Sequence, residues 1–279
     1  MFFAVSNIAW EPSERQAAYE LLAAANIIGL EIAPSLLFDK SNNPFRPSGE
    51  TMAKTLGEIE SAGLFLVSMQ SLLFGVAGAD LFGNAEGRQA FITGLERAIA
   101  LAGQLGIPNL VLGSPKQRKY PEEMSLDDAM NRAADILRPL ADSALAAGTR
   151  IAMECNPAEY GTNFLITPDE VLRFVERAEH PAITLNFDLG ATHLTGTFGQ
   201  VEEQLGTAVS KTSHLHISEP FLAPAPSDPT DTARVLRKLQ ALAYDKAVSV
   251  EMRRPDDGLA GLGAAIRKLN SARVLSGVE

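Results

Sequence analysis

The chain has 279 residues, 46% of them hydrophobic and 21% charged, the balance of a protein with a substantial core. No apolar run approaches the roughly 20 residues needed to cross a bilayer, so a membrane partner is not expected. A net charge of −10 argues against a nucleic-acid partner, because clustered Lys and Arg are needed to replace phosphate counterions and the nearest cluster is the short loop Lys116-Gln117-Arg118-Lys119.

From its first residues the sequence alternates short β-rich runs with longer amphipathic stretches. The first run, Phe2–Ser6, lies in an apolar opening too short for a secretory signal and without a basic flank or small-residue cleavage site. Further strands are predicted at Ile27–Ile32, Leu64–Gln70, Asn109–Gly113, Arg150–Glu154, Ile183–Asp188, Thr212–Ile217 and Ala247–Glu251. Helical spacing follows each one: Ser13–Ala25, Thr51–Ser61, Ala85–Leu105, Leu126–Ala147, Pro168–Ala178, Phe198–Ala208, Thr232–Leu242 and Leu259–Leu275. Thr167-Pro168-Asp169-Glu170 reads as a capping box with proline at the first helical position, and Ser125 precedes acid in the first turn of its helix. Glycines at 63, 106 and 148 close helices before the next strand. Phe38–Gly49 and Glu219–Asp231, the longest irregular stretches, leave strand ends and read as active-site loops.

Strand–helix repetition of this kind implies parallel βαβ units. Eight of them, with no linker and no G-x-G-x-x-G after a strand, predict one (β/α)8 TIM barrel domain over residues 1–279 rather than an open nucleotide-binding sheet. Cys155 is the one cysteine, so no intrachain disulfide forms and a reducing, cytoplasmic location is expected.

Alternation within the later strands separates two faces. Ile151 and Met153, Leu185 and Phe187, Leu215 and Ile217, Val248 and Val250 should face the helices. Ala152 and Glu154, then Thr184, Asn186 and Asp188, then His214 and His216, then Ala247, Ser249 and Glu251 should face inward. Glu154, Asp188, His216 and Glu251 thus end four successive strands, each about one βα unit from the next, and closure brings them to one mouth. Three carboxylates about 5 Å apart repel by roughly 3 kcal/mol per pair at an effective dielectric near 20. A cation or shared protons must offset that. Three oxygen ligands and one imidazole suit one divalent ion, Mn²⁺, Mg²⁺ or Co²⁺ ahead of Zn²⁺.

The same residues carry a family resemblance. "IAMECNP", "LNFDLGATHLTG", "SHLHISEP" and "VSVEMRR" resemble the strand-end motifs of xylose isomerase-like barrels, and within them the sugar and sugar-phosphate isomerases and epimerases related to ketose 3-epimerases. The resemblance spans the chain and is most specific in its last half. It implies a metal set of Glu154, Asp188, His216 and Glu251, with the second histidine of H-x-H as the ligand. It also implies that Glu154 and Glu251 are the acid/base pair, one on each face of the substrate. Such chemistry moves a proton between neighbouring carbons through a metal-stabilised enediolate. Two opposed carboxylates then epimerise a centre, and relay on one face isomerises aldose to ketose. One departure is visible: where many relatives place a histidine three residues after the metal aspartate, this chain has Ala191, and its histidine is His193.

Around this set the candidates for binding substrate are Glu31 and Gln70 at inward strand ends, Lys116 and Arg118 as anchors for phosphate or carboxylate, His193, and Glu219 and Arg253 beyond the last two strands. Trp10 offers an apolar wall but more commonly packs. His180 lies on a turn at the opposite face, and His214, one layer deeper than His216, reads as a hydrogen-bonded core histidine. The expected partner is a small sugar or sugar phosphate, and oligomeric state stays open, a homo-oligomer included. An inosose-type dehydratase would use the same metal and bases. A repair endonuclease of this fold would need more than the four histidines present. A non-catalytic sugar-binding barrel would have no reason to gather bases on both sides of a metal.

Overall fold

Strand–helix alternation demands parallel pairing, and the computed structural model, described over residues 1–278, shows it throughout. The order is β1 (Phe2–Ser6), α1 (Arg15–Ala24), β2 (Gly29–Ile32), α2 (Pro34–Leu37), α3 (Gly49–Ser61), β3 (Phe65–Met69), α4 (Ala85–Leu105), β4 (Leu110–Leu112) and α5 (Leu126–Ala146). It continues with β5 (Ile151–Glu154), α6 (Pro168–Ala178), β6 (Ile183–Asp188), α7 (Leu189–Leu194), α8 (Val201–Ala208), β7 (Thr212–Ser218), α9 (Pro229–Ala241), β8 (Ala247–Glu251) and α10 (Leu259–Ser276). The eight strands follow one another in chain order around a closed barrel.

Several strands begin later than their apolar runs suggest, for a local reason. The N–H of Ile27 donates to Leu22 O at 3.0 Å and that of Leu64 to Ile59 O at 3.1 Å. These residues close the preceding helix instead of starting the ladder. The box expected at Thr167 is half formed: Thr167 Oγ1 accepts from the Glu170 N–H at 3.2 Å, but the Glu170 carboxylate takes the Ile166 N–H at 2.8 Å. Ser125 caps α5 as expected, accepting the Asp128 N–H at 3.1 Å.

Backbone contacts divide the chain into two compact units. The first holds Met1–Val67, Asp188–Ser210 and the chain from His214 onward. In it β1 pairs with β2 through Ala4↔Gly29 and with β8 through Val5↔Val250, while β7 meets β8 through Leu215↔Val248 and Ser218↔Glu251. Small side chains Ala4 and Ala247 pack with Val67. Trp10 is buried edge-on against Tyr19, so packing is its fate here.

The second unit holds Ser68–Phe187 and Lys211–Ser213. Leu110↔Ile151 and Leu112↔Met153 join β4 to β5, and Glu154↔Asn186 is the last pair of β5 with β6. A polar ladder runs through it: Asn109 bonds Ser68 at 3.1 Å and Ser213 at 2.7 Å, and Ser213 meets Thr184 at 2.7 Å. Phe82, Phe164 and Phe174 pack edge-to-face beneath the loops. Among the described residues no helix is long and apolar enough to cross a membrane.

Candidate metal centre

Asp188 ends β6 and caps α7 at once. Its Oδ1 accepts the Ala191 N–H and its Oδ2 the Ser218 hydroxyl, both at 2.6 Å. The fit depends on Gly190, whose N–H donates to Ser218 Oγ at 2.9 Å. A Cβ on Gly190 would stand 2.9 Å from the Glu219 carbonyl, too close for any other residue.

His216 lies on β7, fully buried, with both ring nitrogens committed. Nε2 is 3.1 Å from Glu31 Oε2. An ionised carboxylate only accepts, so that nitrogen carries the hydrogen. In the neutral ring Nδ1 is then a lone pair, and it faces Glu251 Oε2 at 3.3 Å and Asp188 Oδ2 at 3.7 Å. Lone pair and carboxylates pointed at each other repel unless a proton or a metal cation lies between them. One nitrogen and two carboxylates are a donor set that Mn²⁺, Co²⁺ or Zn²⁺ accepts readily and Mg²⁺ tolerates. The residues fit a divalent ion.

Glu31, from the end of β2, is buried with its Oε2 also 2.8 Å from His214 Nε2. Burial alone would push its carboxyl up, but the His216 and His214 rings outweigh that and hold it below the ordinary carboxylate range. His214 is buried, as its place in the strand suggests, and close to the Glu31 carboxylate.

In the other unit, Glu154 ends β5 with each carboxylate oxygen held by an amide. Asn186 Nδ2 donates to Oε1 at 2.8 Å and Asn156 Nδ2 to Oε2 at 3.0 Å. Gly113 leaves room for this, since a Cβ there would come within 2.5 Å of Oε2. Arg118 stands behind it, fully buried, donating to Glu154 O at 3.1 Å and Asn156 Oδ1 at 2.8 Å. Burial lowers its guanidinium to about 10, against the pull of Glu154, so it is still a cation at neutral pH. Cys155 is buried beside it.

The other candidates are spread more widely. Gln70 is buried just past β3, whereas Lys116 and Arg253 are exposed. His193, half-buried on α7, stacks on Phe198 with ring centres 3.9 Å apart, and the Arg234 guanidinium lies 5.4 Å from the centre of the Phe198 ring. Glu219 turns its Oε1 to the Ser227 N–H at 2.8 Å, folding its own loop back. His180 bonds Asp142 at 3.1 Å. Sequence reasoning did not single out Ser218, Asn156 or Asn186 as parts of the site. Ser218 and Asn156 each lie two residues past a proposed ligand, on the same strand face or its extension, and that spacing was the available signal.

Residues 19–272 match the family described as xylose isomerase-like TIM barrel. No curated protein matches significantly. Among solved structures, the chain is similar to 3-keto-D-glucoside 4-epimerase from E. coli, at 17% identity over 98% of this chain and 99% of that one, with a TM-score of 0.77. It is similar to D-psicose 3-epimerase at 16% identity, over 99% and 100% of the two chains, with a TM-score of 0.76. It is also similar to an AP endonuclease of family 2 from Brucella melitensis, at 17% identity over 95% and 99%, with a TM-score of 0.72. At these identities the likeness to single structures speaks for the fold. The family match covers most of the chain, and the chain belongs to the xylose isomerase-like TIM barrel family.

Proposed function

We propose that this protein is an isomerase or epimerase of a sugar or sugar phosphate, working with one divalent ion held by Glu154, Asp188, His216 and Glu251. The observation that carries the reading is the His216 ring, whose Nδ1 faces two carboxylates while its Nε2 hydrogen is spent on Glu31. Within one unit Asp188, His216 and Glu251 have donor atoms near enough to share an ion, and Glu154 is proposed to complete the set. Sugar epimerases among the similar structures point to the substrate class.

A divalent ion would supply polarisation of a ketose carbonyl and its neighbouring hydroxyl, making the hydrogen on the carbon that bears that hydroxyl acidic. The chain supplies the rest. Glu154, fixed at both oxygens by Asn156 and Asn186, is aimed rather than mobile, as a base must be. Glu251, from β8, is the second carboxylate, and the two work on opposite faces of the substrate. One removes the proton and the other returns a proton to the far side, inverting the centre. Gln70, Lys116, His193, Glu219 and Arg253 are proposed substrate contacts.

The test is a panel of ketoses, aldoses and their phosphates incubated in D2O with metal-loaded protein. Deuterium should enter one carbon with no loss of water, and chelation should stop it. A dehydrated product would replace this reading with an inosose-type dehydratase. No divalent ion bound after reconstitution would remove it altogether.

A further inference from the structure

Glu31 is expected from sequence to touch substrate or fill the barrel mouth, yet it is wholly buried, and its Oε2 is shared by two imidazoles. An acid buried at this depth is costly unless donors compensate it. Here His216 Nε2 donates at 3.1 Å, and His214 Nε2 lies 2.8 Å from the same oxygen. The two rings stand edge to face, 5.2 Å apart at 90°, so each limits the other's rotation. All three side chains have zero exposure, which leaves no water to trade places with either contact.

We infer that Glu31 is a positioning residue: by accepting from Nε2 it fixes His216 in one tautomer and one ring orientation, so that Nδ1 is the nitrogen presented to the ion. The inference rests on the metal-site reading above and assigns Glu31 to the ligand rather than to the sugar. The geometry leaves His216 little alternative. With its hydrogen on Nδ1 alone, the Nε2 lone pair would face the Glu31 oxygen at 3.1 Å, an acceptor against an acceptor inside a buried core. His214 acts as the brace. Its own close contact with the same oxygen holds the carboxylate in place even where the His216 ring is drawn toward an ion. Partners of this kind behind a ligating histidine set ring orientation and raise ligand basicity, and losing one costs about 10–100-fold in metal affinity.

The experiment pairs metal affinity with a direct reading of the ring. In isotope-labelled wild-type protein stripped of metal, long-range proton–nitrogen spectra should show a proton on His216 Nε2. Glu31→Leu should lose that single signature and bind Co²⁺ about 10–100-fold more weakly. Glu31→Gln, whose amide oxygen still accepts, should keep the tautomer and lose much less affinity. A wild-type His216 with no proton on Nε2, or Glu31→Leu binding Co²⁺ as tightly as wild type, overturns the assignment. If Glu31→Leu does not fold, Glu31→Gln decides: affinity as poor as that of His216→Ala overturns it. Wild type that binds no Co²⁺ at all fails the metal reading instead, and the tautomer, read without metal, still decides whether Glu31 sets the His216 ring.

Discussion

Glu154 and Glu251 are proposed as ligand and base together, so replacing either with alanine would remove two functions at once. Glutamine separates them. It keeps the side-chain shape and one oxygen for an ion, and it removes the charge and the basic lone pair. For Glu154 it also replaces one acceptor by a donor facing Asn156 or Asn186, both of which present N–H groups to it. Some loss of fit is therefore built into that variant. Losing a general base costs about 10²–10⁴-fold in rate, so kcat should fall by that order in both variants while a weakened metal site persists. Proton exchange sharpens the distinction. A two-base epimerase with one base disabled can still exchange the substrate proton with solvent from the remaining face without inverting the centre. If either variant binds metal and turns over near the wild-type rate, that glutamate is no base.

At the scale of elements, the helix starts lend themselves to a direct check. Thr167→Ala removes the side-chain bond to the first turn of α6, since the Glu170 carboxylate is engaged by Ile166 and cannot substitute. The expected cost is about 1 kcal/mol, read as a Tm lower by about 2–4 °C. An unchanged Tm would mean that Pro168 and the packing of the helix set its start without the cap. The elements themselves were legible because their periods differ: inward polar residues at every second position of β6 and β7 mark both strand and face. The edges were not, since Ile27 and Leu64 are as apolar as strand residues and only their backbone bonds show that they finish a helix. Short α7 was hidden for another reason, because Asp188 both ends a strand and caps the helix, and "LGATHL" has no length over which to show a period. Within the site, strand-end position singles out the four proposed ligands. The partnership of Glu31 with His216 was not legible, as it joins residues 185 apart in sequence. Arg118 misled through composition: in a basic loop it resembles an anion anchor, while the fold buries it behind Glu154.

On the whole molecule, closing a barrel means joining the first strand to the last, and β1 pairs with β8 from Phe2↔Ala247 to Val5↔Val250. A second link spans the same seam beyond the strand ends. Arg254 Nε and Nη2 each donate to a Glu14 carboxylate oxygen at 2.8 Å, tying segments 240 residues apart. This bond, followed by the Glu11 N–H, lowers the Glu14 carboxyl from an ordinary 4.5 to about 2. A carboxyl depressed on folding stabilises the native state fully above its unfolded value, and the contribution fades as pH falls from about 4.5 toward 2. Glu14→Gln should therefore be less stable than wild type at neutral pH, with the gap in urea midpoint narrowing steadily below pH 4.5. Partial exposure of both side chains makes the gap small and sensitive to salt. A gap that stays constant from neutral pH down to about pH 3 would show that charge is not what Glu14 contributes. In a chain carrying a net −10, removing one negative charge elsewhere relieves repulsion, so a control such as Glu122→Gln, on an exposed loop, should shift the midpoint the other way or not at all. The pH-dependent gap between these two variants isolates the seam bond from the overall charge.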